Sequence, residues 1–209
     1  MIMRAGVFSL LLVLLSAPVL AGGTIEGTIR LAGPAPSTAA RPIAKDASVC
    51  GSAAPAESVV VGKAGALANV VVSVSDARFA GTPPPVAGAS LDQRACRYLP
   101  HVQALTVFNV ALPIKGQKLP VPMTKPGLVK LQCDAGHTWM SAWIYVFDHP
   151  YFAVTDASGA FVIKDVPAGE HVVELWHEPA DGQGAGTRTT AKVKVIDGKR
   201  ARLDLTVHL

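Results

Sequence analysis

Aromatic side chains are scarce in this chain, with three Trp, three Tyr and six Phe among 209 residues. Core packing therefore falls to Val, Ile, Leu and Ala. Nowhere do apolar residues recur at the 3.6-residue period over a helix's length, which excludes a helical bundle or coiled coil. Charge is thin as well: 19 Lys and Arg stand against 15 Asp and Glu, spread without the basic stripe that nucleic-acid binding needs. The densest cluster, Lys199, Arg200 and Arg202, reads as a solvated strand face. Catalytic sets are also missing. Ser141 and Ser158 have neither a paired base nor an orienting group, and there is no phosphate-cradling Gly loop or zinc-protease helix. No enzymatic activity is expected.

The one long apolar run is at the N-terminus. Arg4 supplies a positive n-region, Ala5 to Leu15 an apolar core, and Val19-Leu20-Ala21 a small-residue cleavage pattern, so residues 1–21 read as a secretory signal. An uncleaved anchor fits less well, because the apolar core is shorter than a bilayer requires. Cleavage removes Arg4 and leaves 18 basic against 15 acidic residues, with no membrane span behind it. Export to the periplasm or beyond puts the chain where disulfides persist.

What remains is a succession of short strands between Gly and Pro turns. Thr24 to Leu31 alternates, with Ile25, Ile29 and Leu31 inward, and Gly33-Pro34 ends it. Ser37 to Ala56 is an Ala-, Ser- and Pro-rich connection that contains Cys50. Glu57 to Val61 and the Val-rich Asn69 to Val74 read as strands, Thr82-Pro-Pro-Pro85 as a stiff connector. Cys96 to Leu112 supplies one or two strands. Pro113, Pro120, Pro122 and Pro126 then punctuate a stretch whose polar members face water. Near the C-terminus, Ala153 to Ile163 reads as a hairpin with a polar turn, and His171 to His177 as a strand. Ala191 to Ile196 and Ala201 to Val207 flank Asp197-Gly198, a strong two-residue hairpin signal. Such spacing predicts an all-β sandwich.

The stretch from Gly127 to Phe147 asks for a chemical explanation. Val129, Leu131 and Cys133 share one strand face, with Lys130 and Gln132 on the other. A turn, Asp134-Ala135-Gly136, brings His137 round, and Met140 opens the next apolar strand. A thiolate, an imidazole and a weak axial thioether are three of the four ligands of a blue-copper site, whose fourth is a second histidine. The plain alternative is packing, since Met and free Cys behave as soft hydrophobes. Zinc fits less well, for a structural site wants four N or S ligands and one Cys and one His are local.

The run Cys133-Asp-Ala-Gly-His137-Thr-Trp139-Met140, followed by Asp148-His149-Pro150-Tyr151 and Trp176-His177-Glu178, resembles periplasmic cupredoxin-like proteins of the methylamine-utilisation type. These often carry a carboxypeptidase-regulatory-like, transthyretin-type β-sandwich. The resemblance extends from about Gly27 to Glu178. It implies Greek-key β-sandwiches, a cupredoxin-like part packed with a regulatory-like one, and a single copper ion held by Cys133, His137 and Met140. Its role would be electron transfer or copper handling, with a periplasmic redox or copper-delivery protein as partner. The accessory sandwich is non-catalytic, so no peptidase activity is implied.

In one respect the chain departs from that pattern. The family's loop bearing the first ligand histidine has no counterpart here, because Leu105-Thr-Val107 runs directly into Phe108-Asn-Val-Ala-Leu112. His101, the last histidine before the gap, is the candidate fourth ligand on chain position; His149 and His177 read first as corner caps. Trp139 and Trp143 flank Met140 as core packing and as shields against water. His171 and His208 read as surface or edge residues. With Cys133 at the metal, Cys50 and Cys96 form the expected bridge, worth roughly 4 kcal/mol by loop closure.

The layout divides as 22–86, N-terminal strands and connector that pair with the last sandwich; 87–148, a truncated cupredoxin-like insertion; and 149–209, the regulatory-like sandwich. Two sequential domains split near Asp148 are the alternative. Two other functions stand open: a non-metal binding module for a carbohydrate or protein that has lost its copper site, and a site completed by a ligand from a partner or a second copy.

Overall fold

The computed structural model describes residues 22–37, 40–80, 83, 90–106, 123, 125–182 and 184–209. The signal segment, most of the Pro83 connector and the stretch from Val107 to Pro122, including the expected strand through Leu112, lie outside the described residues. In chain order the elements are β1 (Gly23–Leu31), β2 (Arg41–Pro42), the one-turn helix α1 (Ala47–Cys50), β3 (Ala53–Ala54), β4 (Val71–Val74), β5 (Asp92–Arg94), β6 (Arg97–Leu99) and β7 (Val102–Thr106). They continue with β8 (Gly127–Gln132), β9 (Ser141–Phe147), β10 (Phe152–Val154), β11 (Ala160–Val166), β12 (Gly169–His177), β13 (Thr187–Val195), β14 (Arg200–Arg202) and β15 (Leu205–Val207). The chain is all-β, as its periodicity predicts.

Two sheets form a sandwich. In one, β1 pairs antiparallel with β11 and, on its other side, parallel with β14 and then β15. The second has the order β10-β4-β12-β13. Ile25 and Ile29 of β1, Phe161 and Ile163 of β11, Val72 and Val74 of β4, and Val173 and Leu175 of β12 fill the space between them. The alternation in β1 therefore has its simplest cause: every second side chain enters the core. Gly27 marks where β14 gives way to β15. A Cβ there would lie 1.8 Å from the Leu203 carbonyl oxygen, so only glycine admits that backbone.

A third sheet, β7-β9-β8, stacks on the outside of the second. Strand β7 runs parallel to β9, and β8 antiparallel to it. Trp143 and Phe147 of β9 and Val102 and Ala104 of β7 pack on Val71 of β4 and Trp176 of β12. Strand β4 is thereby covered on both faces and all four of its residues are buried. That is why its Val-rich run does not alternate. The far face of β9, Ala142, Ile144 and Val146, packs beneath an outer cover that includes Ile43, Cys50, Ala54, Leu91, Cys96 and Tyr98.

Three local expectations need correction. Glu57 to Val61 is no strand: only Val61 bridges to Leu67, because the chain doubles back at Gly62, whose N–H donates to the Ala66 carbonyl. The turn at Asp197-Gly198 closes no hairpin either. Strand β13 stays on β12 while β14 crosses to β1. The segment from Ala153 to Ile163 is likewise a corner, since β10 joins β4 and β11 joins β1. Asp156 holds that corner through the N–H groups of Ser158 and Ala160. Both turns carry hairpin chemistry but serve a sandwich edge, where the chain changes sheets.

Candidate metal centre

The antiparallel pairing of β8 with β9 delivers Cys133 and His137 to one rim of the third sheet. The Cys133 N–H donates to the Met140 carbonyl, and the Met140 N–H to the His137 carbonyl, so the turn is closed from within. Gly136 sits at φ 90°, a conformation that a side chain resists, and Lys45 donates to the neighbouring Ala135 carbonyl. With Val129 and Leu131, Cys133 packs against the cluster holding Met140, Cys50, Cys96 and Tyr98. The strand parity read from the sequence is thus the observed one. Met140 precedes β9 and is 2% exposed.

Cys133 is a free, half-buried thiol. Its Sγ stands 3.6 Å from His137 Nδ1. A thiolate and an imidazole on one tetrahedral ion, with bonds of zinc-site length, would stand about 3.6 Å apart, so the two donors fit a shared metal without rearrangement. His137 Nε2 lies 2.9 Å from Asp46 Oδ2. A carboxylate only accepts, so in the neutral ring Nε2 carries the hydrogen and Nδ1 turns its lone pair toward the sulfur. A histidine held by a carboxylate behind it is the usual outer support of a metal ligand. Trp139 covers the imidazole, ring centres 5.2 Å apart, and its Nε1–H donates to the Cys96 carbonyl. Burial, helped by the charges of Cys133 and Asp134, raises the Tyr98 pKa.

The Cys50–Cys96 disulfide is present, with Cα atoms 5.2 Å apart. Each of its sulfurs comes within 4.8 Å of a ligating atom of His137.

His101 is not brought to this group. Its Nδ1 lies 3.0 Å from the Ser141 carbonyl and its Nε2 2.5 Å from Glu178 Oε1. Both ring nitrogens are therefore engaged elsewhere. The second Glu178 oxygen accepts from Trp143 Nε1 at 2.9 Å, and Glu57, itself paired with Arg97, stands 3.9 Å from His101 Nδ1. Burial opposes a charged imidazole here, but the hydrogen bond and charge of Glu178, with Glu57 beyond, outweigh it and raise the His101 pKa. Glu57, His101 and Glu178 line a cavity of about 390 Å³ on the seam between sandwich and insertion, together with Arg41, Lys130 and Trp139.

The other histidines take structural positions. His149 Nδ1 accepts from the Tyr151 N–H, and burial lowers its pKa. His177 Nδ1 donates to the Glu178 carbonyl, and burial lowers its pKa too. His171 donates to the Pro167 carbonyl at the surface.

Asp46 and Glu57 carry no signal in the sequence, since each meets its partner across tens of residues of intervening chain. Glu178 belongs to the Trp176-His177-Glu178 motif, and its burial at 2% exposure is the part that the motif does not reveal. Among the described residues no helix is long and apolar enough to cross a membrane. Comparison with known family models, curated proteins and solved structures returns no match.

Proposed function

We propose that this is an exported, periplasmic copper-binding protein of the cupredoxin-like kind, in which Cys133 and His137 grip the ion and Met140 supplies a weak thioether. The observation that supports it is the 3.6 Å approach of Cys133 Sγ to His137 Nδ1, with the opposite ring nitrogen held by Asp46. Bound copper would supply one-electron redox chemistry or be the cargo. The chain's own part is to hold the donors still: the Cys133–Met140 turn bonds fix the rim, Asp46 fixes the imidazole, and Trp139 limits water. Since His101 is engaged by Glu178, the donor set is open on one side, which favours copper storage or delivery over shuttling electrons.

The test is copper stoichiometry and the visible spectrum of the loaded chain. One ion per chain is expected, and Cys133→Ser should remove it. A complete blue site gives an intense thiolate-to-copper band; an open one binds Cu(I) without colour. Unchanged copper binding in Cys133→Ser overturns the reading.

The cavity favours a second reading, a non-metal module for a carbohydrate or protein ligand. Its lining mixes Arg41 and Lys130 with Glu57, Glu178 and Asp181, which suits a polar ligand. Saccharide binding that survives Cys133→Ser, in a chain that takes no copper, would favour it.

A further inference from the structure

Spacing along the chain places one cysteine and one histidine near the turn, too few for a thiolate-rich site. The fold changes that count. Among the described residues, the one group of three ligating side chains with donor atoms within 4.8 Å of one another is Cys50, Cys96 and His137. Cys133 Sγ is 3.6 Å from Nδ1 of the same His137. Three sulfurs thus lie close to one imidazole, and two of them are withheld by being bonded to each other.

We propose that the Cys50–Cys96 disulfide is a redox latch, and that opening it creates a second donor set, Cys50, Cys96 and His137, for a soft d10 ion of the zinc or cuprous class. A disulfide sulfur has no thiolate to offer, whereas the reduced pair has two. Two thiolates and one imidazole are a three-ligand zinc set with a fourth position open. Two thiolates on such an ion stand about 3.8 Å apart, which cysteines with Cα atoms 5.2 Å apart reach by small side-chain rotations. The cover they sit in suits local opening. Cys50 ends a single helical turn, and its neighbours β2 and β3 are a two-residue ladder, so few backbone bonds resist the change.

The reductant is a dithiol. One of its thiolates attacks a sulfur of the bridge to give a mixed disulfide, and its second thiol displaces that sulfur. The dithiol leaves as a disulfide, having given two electrons, and its two protons end on Cys50 and Cys96. Zinc then displaces those protons to the solvent.

This site shares His137 with the copper reading but does not depend on it. Zinc is titrated against a chromophoric chelator, using the purified chain in its oxidised form and after dithiol reduction and anaerobic desalting. Reduction should tighten zinc binding by at least about a hundredfold, the upper range for loss of even an outer supporting group, at one ion per chain. The Cys50→Ser/Cys96→Ser double variant should lose that gain, while reduced Cys133→Ser keeps one zinc. Without any variant, zinc should slow alkylation of Cys50 and Cys96 in the reduced chain, read by mass spectrometry. Zinc affinity indifferent to reduction, alkylation indifferent to zinc, or a reduced chain that unfolds and is not refolded by zinc would each overturn the proposal. Failure of the copper reading looks different: the oxidised chain takes no copper whatever the reduced chain does with zinc.

Discussion

Replacing Glu178 separates charge from packing at the seam between the sandwich and its insertion. The carboxylate is 2% exposed and accepts from Trp143 Nε1 while holding His101 Nε2 at 2.5 Å. In Glu178→Ala the Trp143 N–H and a buried imidazole lose their partner together. Removing one member of a buried ion pair costs about 3–5 kcal/mol, which lowers the midpoint of a chain this size by roughly 10 °C. Glu178→Gln is the sharper probe. Its amide still offers Trp143 an oxygen, and its NH2 meets a neutral His101 Nε2 as acceptor, so the loss near pH 6 should be smaller, about 1–3 kcal/mol.

What Gln removes is the alkaline dependence. Folded His101 keeps its proton above the ordinary histidine value, while the unfolded chain releases it near about pH 6.5. The pair's contribution is therefore complete below that pH and is lost as pH rises through the folded value. The slope is at most about 1.4 kcal/mol per pH unit. His149 and His177 act oppositely: burial holds both neutral, so stability falls as pH drops below about 6.5 and the unfolded chain takes up protons. Urea unfolding from about pH 5 to 8.5 should show a wild-type maximum near about pH 6.5, and in Glu178→Gln the acid limb alone. A Gln variant that keeps the wild-type alkaline slope refutes the reasoning.

Two further outcomes follow from single contacts. Asp46→Asn leaves His137 in place but weakens the acceptor behind it; copper affinity should fall about 10- to 100-fold with the stoichiometry unchanged, as measured by competition with a Cu(I) chelator. Gly27→Ala drives a Cβ onto the Leu203 carbonyl, so β14 and β15 must shift off β1, at about 1–3 kcal/mol, visible as a lower melting temperature with copper binding retained.

The sequence made the elements legible wherever a face was simply in or out. Ile25, Ile29 and Leu31 in β1, and Val129, Leu131 and Cys133 at the end of β8, lie on the faces that alternation assigns them. The pairing of Cys50 with Cys96 follows from cysteine count once Cys133 is set aside. Local pattern fails where the partner is remote. The turns at Asp156 to Gly159 and Asp197-Gly198 have hairpin chemistry, yet after each the chain crosses to an edge of β1, taken by β11 on one side and by β14 and β15 on the other. The candidate site shows the same limit: the Cys133–His137 pair is written within five residues, but Asp46 reaches His137 from 91 residues away and the disulfide joins them only through the outer cover.

That cover sets the energetic terms on which the latch would work. Its own strands, β2, β3, β5 and β6, are two or three residues long, too short to hold a layer by ladder bonds alone. The bridge spans 46 residues, and closing a loop of that length is worth about 4 kcal/mol. Reduction releases that constraint. Free zinc at about a thousand times its dissociation constant adds about 4 kcal/mol to the folded chain, which matches the loss. The reduced, zinc-loaded chain should therefore melt no lower than the oxidised chain, whereas the reduced chain without metal should melt lower, by an amount set by those 4 or so kcal/mol. If the reduced apo chain is as stable as the oxidised one, the bridge is not what holds Cys50 and Cys96 beside His137, and the cover has another source of order.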